Sequence, residues 1–423
     1  MTALLRRALL VGYHFPPLAG SSGIQRMLRF VQQLPQFGWQ PLVLTAHPMA
    51  YERTSDDLLA DVPAGTVVRR AIALDTARQL SLRGRYISAL ARPDRWMTWR
   101  FDAVRTGLQM IREHRPEVIW STYPIATAHV IGAELQRRSG VPWIADFRDP
   151  MAQEGYPADP QTWQAYVDIE RRTFAQAACA LFTTPSAAAQ YRSRYPEAAA
   201  RIEVLENGYD EDSFTQAEAA LPQRQPLAPG RFTLLHSGIV YPSERDPTAL
   251  FQAMAALRAA GALPPGVLNL RFRAPVHDAL LLDLAQRHGL QDVVEVLPPV
   301  DYRSALAEML QADALLVMQA ANCNAQIPAK LYEYLRAGRP VVGLADPQGD
   351  TAAVLRQAGI TAIAALEDAA AIAPLLAAVL RSPETGTRPA AEAVRRASRL
   401  QRTAELTAHL ERVARPAATA RAA

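Results

Sequence analysis

A chain of 423 residues, 49% hydrophobic and 20% charged, has the make-up of a folded globular protein and the length for two cores. No apolar run reaches the roughly 18 residues that a membrane-spanning helix needs, the longest being Ala369 to Leu380. A net charge of +4 is too modest at this length to mark a nucleic-acid binder, and two cysteines, Cys179 and Cys323, give neither a disulfide framework nor metal-ligand spacing.

Arg6 and Arg7 precede a short apolar run that leads straight into Tyr13-His14-Phe15-Pro16-Pro17. This predicts a first buried strand rather than a signal peptide, and a cytoplasmic protein. Strands are predicted over residues 8–13, 41–45, 66–71, 117–121, 142–146, 180–184 and 202–206, alternating with helical patterns. Residues 216–230 are rich in Ala, Gln and Pro and read as a linker. A second series of strands follows over 232–236, 268–272, 293–297, 314–318, 340–344 and 361–364. The expectation is an α/β protein with two Rossmann-like domains, 1–215 and 231–390, facing each other. Ligands bind such sheets outside the carboxyl ends of the strands, so polar residues just after strands are the candidates.

Four stretches have that placing. The first runs from Tyr13 to Arg26, where a strand ends, a small-residue loop follows and a helix begins. Gly20 and Gly23 allow close backbone approach to a ligand, Ser22 with Gln25 reads as a capping box, and Ile24, Met27, Leu28, Val31 and Leu34 form the buried stripe. The second is Asp146-Phe147-Arg148-Asp149-Pro150. Three charges in four residues at a strand end suit either a catalytic carboxylate oriented by Arg148 or an internal ion pair. The third is Leu235-His236-Ser237-Gly238 with Tyr241 and Arg245. There Gly238 lets the backbone come close, and Arg245 is placed to grip phosphate oxygens.

The fourth, Ile327 to Pro340, is the most telling. The 45 basic residues include a single lysine, Lys330, in the first turn of a predicted helix with Pro328 at its start and Gly338 at its C-cap. A compact ammonium kept where every other cation is a guanidinium points to a need for it. Glu333 and Tyr334 follow on the same helix face, so a phosphate-binding cation stands beside a carboxylate able to accept ribose hydroxyls.

In this order, the Phe-Pro-Pro…Gly…Gly loop, Asp146 to Pro150, Glu206-Asn207-Gly208-Tyr209-Asp210, His236-Ser237-Gly238 and Pro328 to Leu335 resemble the GT-B glycosyltransferases, specifically the retaining family 4. The likeness runs from about residue 8 to 365. It implies two Rossmann-like domains with a deep interdomain cleft. A last helix, 391–413, would cross back to the first domain and leave a frayed tail, 414–423. By this resemblance, Gly20 to Gly23 border the donor diphosphate and acceptor. Arg245 and Lys330 hold the diphosphate, Glu333 binds ribose, and Pro299 and Val300 lie against the base.

Two positions depart from the family pattern: Ala325 stands where a second glutamate often does, and Arg148-Asp149 where a His-Asp pair often does. The catalytic candidates are Asp149, Arg148, Asp146 and Lys330, with His14 a further candidate for the sugar pocket. The implied reaction is metal-independent glycosyl transfer from a nucleotide diphosphate sugar, with no cofactor, to a sugar or lipid-linked acceptor in bacterial polysaccharide or glycolipid assembly. Arg78, Arg83, Arg85, Arg92, Arg95, Arg100 and Arg105 interleave with Tyr86, Trp96, Trp99 and Phe101. That pattern suits peripheral contact with an anionic membrane at its inner face, or a solvated helix face over packed aromatics. Rival functions are a GT-B sugar-nucleotide epimerase, an inactive nucleotide-binding partner protein, and a phosphorylase with pyridoxal phosphate on Lys330.

Overall fold

The computed structural model describes residues 5–21, 23–83, 85–221 and 223–414. Among them the predicted apolar runs pair into a seven-stranded and a six-stranded sheet. The chain divides into two compact units, one of residues up to Glu206 together with those from Arg402 onward, the other from Asn207 to Gln401.

In the first unit the strands are β1 (Arg6–Val11), β2 (Trp39–Ala46), β3 (Val67–Ala71), β4 (Val118–Thr122), β5 (Trp143–Arg148), β6 (Cys179–Phe182) and β7 (Ile202–Val204). All pairings are parallel, in the order β3-β2-β1-β4-β5-β6-β7, so the order reverses between β1 and β4. Strands such as β1 and β4 are covered on both faces, which is why they read as continuous apolar runs and not as alternation. The stripe Ile24, Met27, Leu28 and Val31 is buried along the helix Gly23–Gln33, and Leu34 opens the 3₁₀ turn after it. Arg26 and Arg29 on that helix are buried too.

The second unit contains β8 (Phe232–Ser237), β9 (Leu268–Arg273), β10 (Val294–Leu297), β11 (Ala314–Gln319), β12 (Val341–Ala345) and β13 (Ile363–Ala364). Its parallel order, β10-β9-β8-β11-β12-β13, reverses between β8 and β11. Leu250, Phe251 and Met254 join Ile372, Leu376 and Val379 in one core. The longest apolar run is thus half of a packed helix pair, and no helix among the described residues is long and apolar enough to cross a membrane.

Two expected boundaries move. The change of unit falls at Glu206/Asn207 and not within residues 216–230. The helix Glu211–Ala219 is held to the second unit because Phe214 is fully buried in its core. Arg336 adds ion pairs to Glu211 and Glu218 and lies 5.0 Å from the Phe214 ring. The segment 391–413 is two helices, Ala391–Arg396 and Arg399–Val413. Ala393 and Val394 of the shorter one pack on the second core. Only from Arg402 does the longer one belong with the first unit, where Thr403 donates to Gln33 at 2.7 Å and Arg402 pairs with Glu206 at 2.9 Å. Ser22 of the expected capping box and residues 415–423 of the expected tail lie outside the described residues; Ser21 Oγ instead accepts from the Gly23 amide at 3.2 Å.

Candidate functional site

In the second unit, the reversal of strand order puts the loops after β8 and β11 side by side at the sheet's carboxyl edge. His236 is the penultimate residue of β8 and is fully buried. Its Nδ1 lies 2.9 Å from the Leu316 carbonyl of β11, which can only accept, so Nδ1 carries the proton. Nε2 is then an acceptor, and the Lys330 ammonium donates to it at 3.2 Å. Burial and the neighbouring Lys330 hold His236 well below the usual imidazole range, so it stays neutral.

Lys330 is the first residue of the helix Lys330–Ala337, which Gly338 ends in a left-handed C-cap; Pro328 sits just ahead of the N-cap Ala329 and not inside the first turn. Part of the Lys330 side chain remains accessible. Burial first, and then the nearby Arg245, pull its pKa down to about 7, while Glu333 opposes the shift. Gly238 has a φ of +110°, and a Cβ there would stand 2.9 Å from the Lys330 Nζ. A side chain at residue 238 would therefore push the ammonium from its present place. Arg245 wraps the same turn, donating from Nη1 to the Ile239 carbonyl at 3.0 Å, with its Cζ 5.2 Å from the Tyr241 ring centre. Among the described residues neither Lys330 nor Arg245 has a carboxylate ion-pair partner, and the buried Arg245 Nε has no acceptor.

Glu333, one turn along, accepts a 2.9 Å hydrogen bond from Tyr302. Burial raises its pKa, offset by that bond and by Arg399 and Lys330. Tyr302 begins the helix Tyr302–Gln311, capped by Asp301 directly after the exposed pair Pro299 and Val300. The segment expected against the base is therefore tied by three residues of chain to the carboxylate expected on the ribose. Tyr334 serves the scaffold: its hydroxyl accepts from the Ser237 amide at 2.9 Å and fixes the end of β8. His236, Tyr302 and Tyr334 were not singled out for these roles in the sequence.

The first unit treats its charged stretch differently. Asp146 is fully buried and takes a two-pronged bond from Arg26, 2.8 Å to Oδ2 and 2.9 Å to Oδ1, with Thr122 adding 2.9 Å to Oδ2. Arg26 also donates to the carbonyls of Leu205 and Glu206. This removes Asp146 from the catalytic candidates, because both of its oxygens are committed to a buried clamp. Phe147 stacks on Phe174 and Phe182.

The pairing of β5 with β6 then shifts register between Asp146 and Arg148. Arg148 sits at φ +63°, a left-handed conformation that costs a residue with a side chain about 1–2 kcal/mol. Its Nη1 donates to the Tyr123 carbonyl at 3.2 Å, and its buried Nε has no partner. Asp149 is partly accessible; burial raises its pKa, and Arg148 opposes the rise. A Cβ on Gly23 would meet His14 Nδ1 at 2.4 Å and Arg148 Nη1 at 3.1 Å, so His14, Gly23 and Arg148 form one cluster. Burial brings His14 down to about 4, and Ser21 Oγ lies 3.1 Å from its Nδ1. Gly20 is exposed at φ +79° with open space around it.

Several arginines of the basic aromatic segment are tied to groups of the first unit, though none of the seven is fully buried. Arg78 donates to the Tyr51 carbonyl at 2.8 Å, Arg95 pairs with Asp75 and Glu52, Arg92 with Asp159 and Arg105 with Asp102. Trp99 is fully buried and Trp96 packs on Tyr13. Arg78, Arg83, Arg85, Tyr86, Arg100, Phe101 and Arg105 stay exposed.

Residues 22–208 match the family model described as a glycosyl transferase 4-like domain. Those residues thus carry a glycosyl transferase 4-like domain, and the whole chain has the GT-B fold. The chain is similar in structure to Anabaena HepE, solved with UDP, at TM-score 0.66 and 13% identity, over 96% of this chain and 100% of that one. It is similar to sucrose-phosphate synthase from Thermosynechococcus elongatus at TM-score 0.65 and 16% identity, over 96% and 98% of the two chains. For α,α-trehalose 6-phosphate synthase from Burkholderia multivorans the values are 0.65 and 15%, over 97% of both chains. No curated protein sequence matches the chain.

Proposed function

We propose that the protein is a glycosyltransferase that draws its sugar from a nucleotide diphosphate sugar bound to the second unit. Lys330 and Arg245 hold the diphosphate, Glu333 accepts the ribose hydroxyls, and Pro299 and Val300 flank the base. One observation carries this reading: two cations meet where the strand order reverses, and neither has a carboxylate partner among the described residues. Unpaired partly buried charge is costly, so such a pair is built for an anion that arrives from outside. That HepE was solved with UDP and with UDP-glucose supports a nucleotide donor here.

As the bond to the sugar breaks, negative charge grows on the leaving diphosphate, and fixed cations stabilise that charge more than they stabilise the bound donor. With these cations in place the reaction is metal-independent, and transfer continues in EDTA. On the first unit, Arg148 and Asp149 are the groups for the acceptor, the left-handed backbone of Arg148 marking a place where strain serves a purpose. The resemblance to family 4 supports retention of the donor's anomeric configuration and a role in bacterial polysaccharide or glycolipid assembly.

The acceptor is lipid-linked in this reading, and the enzyme works at an anionic membrane on the cytoplasmic side. Arg100, Phe101, Val104, Arg105, Arg112 and Arg172 line an open groove of about 430 Å³. Among the described residues, Arg100, Arg112 and Arg172 have no carboxylate partner. Each such arginine contributes about 1 kcal/mol at an anionic surface. Sedimentation with phosphatidylglycerol vesicles at low salt tests this, binding being expected and a protein left in the supernatant opposing it.

The donor reading is tested by screening nucleotide sugars for thermal stabilisation, then assaying the stabilising ones with and without sugar or polyprenyl-phosphate acceptors. Stabilisation by one nucleotide class and acceptor-dependent release of the nucleoside diphosphate are expected. Isomerised donor without an acceptor would instead mark an epimerase.

A further inference from the structure

We propose that His236 is a positioning residue, whose neutral Nε2 holds the Lys330 ammonium over the Gly238 turn so that it is already aimed when the diphosphate arrives. This rests on the reading of Lys330 as a diphosphate ligand. A lysine side chain loses rotamer freedom when it is fixed, and that cost falls on binding unless the protein has met it beforehand.

The geometry supplies the device in three linked bonds. The Leu316 carbonyl of β11 fixes the His236 tautomer at 2.9 Å, the tautomer leaves Nε2 as an acceptor, and Nε2 takes a hydrogen from Lys330 at 3.2 Å. A carboxylate in place of the imidazole would also hold the ammonium, but it would neutralise the charge that the diphosphate needs. A neutral acceptor holds the lysine and leaves the field of both cations intact. Gly238 keeps the space beside Nζ free, since a Cβ there would lie 2.9 Å away. The partners are 94 positions apart and meet only because β8 and β11 are neighbours in the sheet.

Two substitutions separate the two bonds of the imidazole. In His236→Asn the amide nitrogen can replace Nδ1 against Leu316, but nothing reaches Lys330. In His236→Gln the carbonyl oxygen can replace Nε2 towards Lys330, but the bond to Leu316 is lost. Calorimetric titration of the wild type and both variants with UDP, ADP and GDP, alongside thermal midpoints, reads the outcome. For the nucleotide that binds the wild type, His236→Gln should stay within about threefold and His236→Asn should weaken about tenfold, the scale of one hydrogen bond to a charged group.

A purely structural histidine would give affinities that follow the thermal midpoints, or equal losses in both variants, and either result overturns the proposal. Adding Lys330→Met to His236→Asn provides a second check. If the histidine acts through the lysine, the double variant binds no more weakly than Lys330→Met alone, whereas additive losses contradict it. If no nucleotide binds the wild type, the donor reading itself fails and takes this proposal with it. Binding to the wild type with no split between the variants overturns the positioning role alone.

Discussion

The end of β5 in the first unit and the ends of β8 and β11 in the second both gather charge at a sheet's carboxyl edge, but they settle it in opposite ways. After β5, the fully buried Asp146 is clamped by Arg26 and Thr122. After β8 and β11, Lys330 and Arg245 face each other's field with a neutral histidine as the nearest hydrogen-bond partner of the ammonium. Charge density along the chain does not separate these cases. What separates them is whether the fold supplies the counter-charge, and a cluster that lacks it is the one waiting for a ligand.

The sharpest way to break this contrast is to remove one charge from each region. Asp146→Asn leaves Arg26 buried without its partner and should cost about 3–5 kcal/mol in urea unfolding, with little change in turnover per folded molecule. Lys330→Met should do the reverse. Stability should hold or rise, because a partly buried cation is removed, while transfer falls by about 10²–10³-fold, the scale seen for a lost stabiliser of transition-state charge. Should Lys330→Met unfold the protein and Asp146→Asn abolish turnover in a stable fold, the two roles assigned here are exchanged.

A smaller effect comes from pH. Lys330 titrates at about 7, facing His236 from β8, Arg245 from the loop after it, and Glu333 on its own helix. Only the ammonium binds a diphosphate well. Donor affinity should therefore be flat below about pH 6 and fall by up to about tenfold per unit as pH rises through 7, and Lys330→Met should remove the dependence. The same group affects stability with a definite sign. Its folded pKa lies below the unfolded one, so between about 7 and about 10.4 the unfolded chain holds more protons and stability rises with pH. Fluorescence titration of a stabilising nucleotide sugar from pH 6 to 9 reads the binding effect.

The sheets were legible in the sequence because strands covered on both faces must be apolar throughout, and each predicted strand coincides with one of β1–β13 to within a few residues. Lys330 was legible because it is the one ammonium among 45 basic residues. The boundary between units was not, since Ala and Gln in residues 216–230 look like a linker while Phe214, just before them, is locked in the second core. The fate of Asp146 was also hidden, because its partner Arg26 lies 120 positions away on a helix whose visible pattern was its apolar stripe. In the same way His236 looked like part of a loop motif. Its role appears only when β8 and β11 pair and bring it to Lys330.

The central claim, that Lys330 and Arg245 together hold a diphosphate, is tested most directly by calorimetry on Lys330→Met, Arg245→Met and the double variant, using the nucleoside diphosphate that binds the wild type. Weakening of about tenfold or more is expected in each single variant, with a coupling between them, since both would grip one ligand. Unchanged affinity in both single variants would contradict it.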